Sequence, residues 1–178
     1  LFMLLPFVWM ILSSLKTMPE IMAIPPKWLP EDPQWANYAE AMSRAPFPRY
    51  FLNSVIVTVC AVSLQTLLSI MMAYATSRFQ FPGRNALFAV LLGLMMVPYE
   101  MLLITNYVTM TQLHWLDTFA ALIVPNAASV YYTYILRSNF LRVPDSYLYS
   151  ARLDGAGSWK YLWRIMVPMN KSTIMTVV

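Results

Sequence analysis

Between Tyr50 and Ser77 the chain runs for 28 residues without a formal charge. As a helix, that run rises about 42 Å at about 1.5 Å per residue, more than the roughly 30 Å of a bilayer's hydrocarbon. It reads as a helix long enough to span, and the rest of the chain must fit around it. Ala86 to Met110 is a second apolar stretch, interrupted by Pro98 and Glu100, and Phe119 to Leu136 is a third, with Pro125 inside it. A further span starts at Met169 and runs to Val178.

Composition agrees with a protein of the membrane. The chain is 59% hydrophobic and 11% charged, against about 25% charged residues in soluble domains. The expected fold class is all-α, a polytopic transmembrane helical bundle. Leu1 to Leu12 is apolar throughout. Twelve helical residues reach only about 18 Å, so residues 1–15 read as the end of a first span. Since the chain opens and closes inside apolar runs, we expect a fragment of a longer protein, truncated at both ends. Residues 16–49 form a connecting loop holding seven of the thirteen prolines. Its Trp28 and Trp35 suit a membrane interface, and a short helix is expected over Asn37–Ser43. Residues 50–178 form the core, with spans at about 50–77, 86–110 and 119–136, and a loop over 137–168.

The charges set the orientation. The 78–84 turn carries Arg78 and Arg84, and the 137–164 segment nets +3. The 16–49 loop nets zero and the 111–118 loop nets −1. Short basic loops face the cytoplasm, so the 78–84 turn and the 137–168 loop are placed inside and the other two outside. The spans alternate consistently under that assignment. The net charge of +4 therefore belongs to membrane topology and not to nucleic acid.

Within the inner loop, Pro144 to Pro168 reads as helix, glycine turn, helix. Pro144 can start the first helix, where a missing donor costs nothing. Gly155 and Gly157 bracket the turn, where positive φ is cheap only for glycine. Ser158 is the expected N-cap of the second helix and Pro168 its end. In that helix Trp159, Leu162, Trp163 and Met166 fall at i, i+3, i+4 and i+7, an apolar stripe. Lys160 and Arg164 lie four apart on another face, where like charges cost roughly 0.2–0.5 kcal/mol. An acidic partner surface or anionic lipid would remove that cost. By shape alone, an amphipathic surface helix at the membrane edge fits as well.

The residues from Ala151-Arg-Leu-Asp-Gly-Ala-Gly157 to Trp163-Arg-Ile-Met-Val-Pro168 resemble the cytoplasmic "EAA" loop of ABC-importer permeases, most closely the sugar-importer, maltose-type branch. The family's Glu-Ala-Ala is here Tyr149-Ser150-Ala151, a departure that removes an acidic position. The order Ser-Leu-Lys, Pro-Pro-x-Trp and Arg-Tyr-Phe-Leu-Asn-Ser across residues 14–54 also resembles that branch's first external loop. The resemblance implies the type I permease fold in the cell membrane. It implies that the loop docks into ATP-binding cassette subunits through Ala151, Asp154, Gly155, Ala156, Gly157, Trp159, Lys160, Trp163, Arg164 and Pro168. Gly155 would act sterically, a side chain there breaking the turn. A second permease subunit, an extracytoplasmic solute-binding protein and membrane lipid are the other partners implied.

Other candidates are thinner. Glu100 is the only acid near a span, and charges in spans are often functional, so a place in the translocation path is one reading. Pro98 and Pro125 can kink their helices. Asn126, Ser129 and Tyr131, with Tyr132 and Tyr134, follow Pro125 and offer hydroxyl, amide and aromatic partners to a polyol. The tyrosines suit an interface equally. His114 and Asp117 are neighbours without a third group to complete a catalytic or metal set. Cys60 is alone in an apolar run, and no Gly-rich phosphate loop is present. No enzyme is expected, no metal site, and no cofactor beyond ATP held by a partner.

The expected function is that of the transmembrane subunit of an ATP-driven importer for a sugar or oligosaccharide. Glycerol phosphate, an amino acid or a peptide are alternative solutes. A secondary transporter would need buried ion-coupling acids, and Glu100 is the sole candidate.

Overall fold

The structure is a computed structural model describing residues 2–177, the side chains of Phe2 and Tyr99 excepted. The described residues are helical with no strand. Two compact units divide the chain, Leu1–Asn53 and Ser54–Val178.

In the first unit, α1 (Leu5–Ser14) is short and apolar, with Pro6 in its first turn. After it come α2 (Met18–Ile21) and α3 (Ala36–Arg44), the latter covering the helix expected over 37–43. The loop is not slack. The Lys16 side chain is buried, its ammonium 4.2 Å from the Trp9 ring centre and donating to the Lys27 carbonyl. Trp9 meets Trp28 edge to face at 5.2 Å. Glu20 accepts from the Thr17 N–H at 2.8 Å and its hydroxyl at 2.9 Å, and its other oxygen accepts from the Glu31 N–H at 2.9 Å. Asn37 Nδ2 donates to the Ser14 and Lys16 carbonyls at 3.0 and 3.1 Å. These bonds replace the regular ladders that seven prolines deny the segment.

α4 (Phe47–Arg78) holds 32 residues, about 48 Å at about 1.5 Å per residue. It is the one helix, among the described residues, that alone is long and apolar enough to cross a membrane. Its buried residues, Ser69, Ile70, Ala73, Tyr74, Thr76 and Ser77, are confined to its last ten positions. The rest of the helix carries no buried residue.

The 86–110 stretch is not one helix. α5 (Arg84–Leu94) and α6 (Tyr99–Gln112) are separated, and Pro98 sits extended at φ −60°, ψ 133° as the residue before α6. Proline disfavours the helical region for its predecessor and supplies no N–H, so the ladder stops completely. At about 17 and 21 Å neither piece spans alone. The 119–136 stretch is also broken: α7 (Phe119–Ile123), a 3-10 turn at Val124–Asn126 around Pro125, then α8 (Val130–Arg142), bent by 44°. Taken together the bent pair is long and apolar enough to cross.

The chain closes through α9 (Asp145–Leu153), α10 (Ser158–Tyr161), a π-helical turn at Leu162–Met166, α11 (Val167–Met169) and α12 (Lys171–Val177). One apolar cluster joins these to the ends of α4 and α8: Ile70, Ala73, Tyr74, Leu136, Phe140, Val143, Ala151, Tyr161, Leu162, Met166 and Val177.

Candidate functional site

The 144–168 hairpin is built from its corner outward. α9 ends at Leu153, Asp154 caps it, and Gly155 follows at φ +71°. The Ala156 N–H donates to the Ala151 carbonyl at 2.8 Å and the Gly155 N–H to the Arg152 carbonyl at 3.0 Å. That pair is a Schellman cap. Its usual apolar contact is in place too: Ala151 is buried and Ala156 packs against the same cluster. The Ala-Arg-Leu-Asp-Gly-Ala run is thus a helix stop that turns the chain without leaving buried carbonyls unpaired.

The expectation of a steric role for Gly155 is corrected. A Cβ there meets nothing within 4 Å. The constraint is the left-handed backbone, which costs an ordinary residue about 1–2 kcal/mol. Gly157, unlike Gly155, is not at positive φ, lying extended at φ −69°, ψ 166° as the residue before α10. Ser158 is therefore the first helical residue rather than its cap.

Pro168 does not end the second helix. The π turn at Leu162–Met166 precedes it, and Pro168 sits inside the next segment, Val167–Met169. A π turn carries an extra residue, which displaces the carbonyl that a proline ring would otherwise strike. The chain turns only at Asn170, whose Nδ2 donates back to the Met166 carbonyl at 2.8 Å.

The buried face of this segment is not the expected stripe. Trp159, expected on the buried stripe, is 62% exposed, whereas Tyr161, outside that stripe, is fully buried with Leu162 and Met166. Tyr161 and Met166 are five apart, the spacing that a π turn stacks. Trp163 is half-buried and meets Trp159 edge to face at 5.7 Å. Lys160 and Arg164 are exposed. Burying Leu162 stabilises the hairpin by about 1.5–3 kcal/mol. One face is thus fixed in the core, and an outer face offers two indoles and two cations.

Two residues at the end of α4 hold the hairpin in place: Arg78, expected only to mark topology, and Tyr74, which no motif singled out. The Tyr74 hydroxyl donates to the Ser158 carbonyl at 3.1 Å, and Arg78 binds both the end of α8 and the start of α9. The signal available in the sequence was a charge ending a 28-residue uncharged run.

The candidate path residues lie outside the hairpin. Asn126 Nδ2 donates to the Leu122 carbonyl at 3.0 Å, and the Ser129 hydroxyl caps α8 by accepting from the Tyr132 N–H at 3.2 Å. Both satisfy backbone groups freed at the bend. Tyr131 is exposed and its ring centre lies 5.8 Å from that of Tyr132. Glu100 is exposed in the first turn of α6, where an acid suits the helix dipole. Among the described residues no hydrogen bond joins Glu100 to the other three.

Residues 65–178 match the family described as binding-protein-dependent transport system inner membrane component. The chain belongs to that family. This inner-membrane component is similar to the diacetylchitobiose uptake system permease protein of Streptomyces coelicolor, 34% identical over 98% of this chain and 58% of that protein. It is also similar to sn-glycerol-3-phosphate transport system permease proteins. That of Brucella suis is 30% identical over 95% of this chain and 62% of the relative. That of Yersinia enterocolitica is 28% identical over 87% and 57%. The chain spans about three fifths of the length of these relatives. A crystal structure of a bacterial ABC transporter involved in the import of the acidic polysaccharide alginate superimposes with a TM-score of 0.86. It is 21% identical and covers 98% of this chain and 62% of that one. The all-α permease fold is shared, and the family and its relatives are transport components, not enzymes.

Proposed function

We propose that this inner-membrane component is a transmembrane subunit of an ATP-driven importer for a sugar or oligosaccharide. The 144–168 hairpin passes movement of partner ATPase subunits to the spans. The observation that carries this is the two-sided hairpin. Its inner face, Tyr161, Leu162 and Met166, is at most 1% exposed, while Trp159 stands out at 62% beside exposed Lys160 and Arg164. An exposed indole pair flanked by cations fits an acidic cleft lined with apolar groups. Asp154, Gly155, Ala156 and Gly157 form the corner that aims this face, with Ala151 as its buried anchor and Pro168 carrying the chain into the next span. ATP is held by the partner. A second permease subunit and an extracytoplasmic solute-binding protein complete the assembly.

Cross-linking tests the proposal. With Cys60 replaced by serine, a cysteine at Trp159 or Ala156 in the full-length protein is expected to form an adduct with a co-purifying nucleotide-hydrolysing subunit. A membrane-embedded complex in which neither position reaches such a subunit removes the reading.

The solute divides into two readings, because the relatives include transporters named for diacetylchitobiose and for sn-glycerol 3-phosphate. Asn126, Ser129, Tyr131 and Glu100 are the proposed lining of the path for either. Calorimetry of the partner solute-binding protein with each compound decides, and binding of the phosphate ester alone would displace the sugar reading.

A further inference from the structure

A push on α9 and α10 must reach a span to do work, and the route has a weak joint. Between α8 and α9 the backbone is extended at Val143 (φ −72°, ψ 122°) and Pro144 (φ −59°, ψ 142°). No helical ladder crosses those two residues, so a rotation there would absorb displacement of the hairpin.

Arg78, the last residue of α4, bridges that joint. Its side chain is 5% exposed. Its Nη2 donates to the Phe140 carbonyl at 2.7 Å and to the Val143 carbonyl at 2.6 Å, and its Nη1 pairs with the Asp145 carboxylate. The first two acceptors are carbonyls at the end of α8, which a helix terminus leaves short of donors. The third is on the first residue of α9. One guanidinium thus grips both sides of the joint. Only its Nε is without a partner among the described residues. One turn earlier on α4, Tyr74 ties the first residue of α10 through the Ser158 carbonyl at 3.1 Å.

We propose that Arg78 is a positioning residue for coupling, one that locks the end of α8 and the start of α9 to the end of α4, so that hairpin motion is delivered to the long span. The proposal rests on the coupling reading above. A buried guanidinium with fixed donor geometry suits this task. A lysine in its place keeps the charge but presents one point of attachment, not a fork. The two carbonyls contribute more than Asp145, whose carboxylate is 66% exposed and whose ion pair is screened accordingly.

The test uses the full-length protein with its ATPase subunits and its own solute-binding protein in liposomes. ATP hydrolysis is measured with and without the binding protein carrying the solute it retains on purification. Arg78→Lys is expected to lower the stimulated-to-basal ratio at least tenfold while the Trp159→Cys cross-link to the ATPase persists. Asp145→Asn is expected to lower the ratio less than Arg78→Lys. A ratio within twofold of wild type for Arg78→Lys overturns the proposal. So does loss of the cross-link in Arg78→Lys, which would make Arg78 a holder of hairpin shape only. A missing cross-link in the otherwise wild-type protein removes the coupling reading first, and this one with it. Amide exchange in the wild-type complex gives a second reading independent of any variant. The Val143 and Tyr147 amides flanking the joint are expected to exchange within tenfold of the Phe79 amide at the end of α4. Exchange a hundredfold faster at the joint would show that Arg78 does not lock it.

Discussion

Gly155 shows how one residue shapes the site without touching anything. Its φ of +71° is needed so that the Gly155 and Ala156 amides can turn back onto the Arg152 and Ala151 carbonyls. Gly155→Val is therefore expected to destabilise the corner by about 1–2 kcal/mol, although the surrounding space is open. Gly155→Asn should cost less, since asparagine visits that region more readily. Gly157→Ala should change little, because extended backbone at φ −69° suits any residue. Amide exchange at Ala156 in the purified protein reads all three. Equal losses at 155 and 157 would contradict the cap. Tyr161 makes a related point: fully buried, its hydroxyl lacks a partner among the described residues, so the ring's packing outweighs the cost of drying the hydroxyl.

Among the elements, the 16–49 loop is held by side chains in place of ladders, and this makes it sensitive to acid. The N–H groups of Glu31 and Thr17, and then the Thr17 hydroxyl, hold the Glu20 carboxyl below its ordinary value of 4.5. A lowered folded value means that the ionised form is favoured by folding. Its contribution is full above about pH 4.5 and is lost as pH falls through the lowered folded value. Order in residues 17–31 is therefore expected to fade below that point, and Glu20→Gln to show a weakened loop already at neutral pH. Proteolysis of the loop from the outside across pH 3–7 measures this. A loop equally resistant at both ends of the range would mean that the Lys16 and Asn37 bonds suffice. The π turn is the second lesson at this scale. By adding one residue to a turn it lets Pro168 stay inside the helix.

For the whole molecule, the basic loops predict which ends of the spans lie in the cytoplasm. Cysteines placed at Gln80 and Leu153, both exposed, in a Cys60→Ser background should resist a membrane-impermeant maleimide in intact cells. Those at Asp32 and Gln112, also exposed, should react. Labelling of Leu153→Cys from outside would invert the topology and with it the coupling reading. The long exposed faces of α4 and the two broken helices further mean that the chain does not bury its apolar surface alone. Lipid or other subunits must cover it.

Local chemistry carried what the sequence determined. Uncharged length marked α4, prolines marked the breaks at 98 and 125, and Asp-Gly-Ala marked the corner of the hairpin. Each of these depends on residues close together in the chain. The tertiary structure decided what depends on residues far apart. Arg78 meets Phe140, Val143 and Asp145 only because the ends of α4 and α8 come together in one apolar cluster. Tyr161 is buried only because the end of α4 lies beneath it. A guanidinium read along the chain is a charge beside a span. Its acceptors, more than sixty residues away, are brought within reach by packing, and no spacing pattern encodes them.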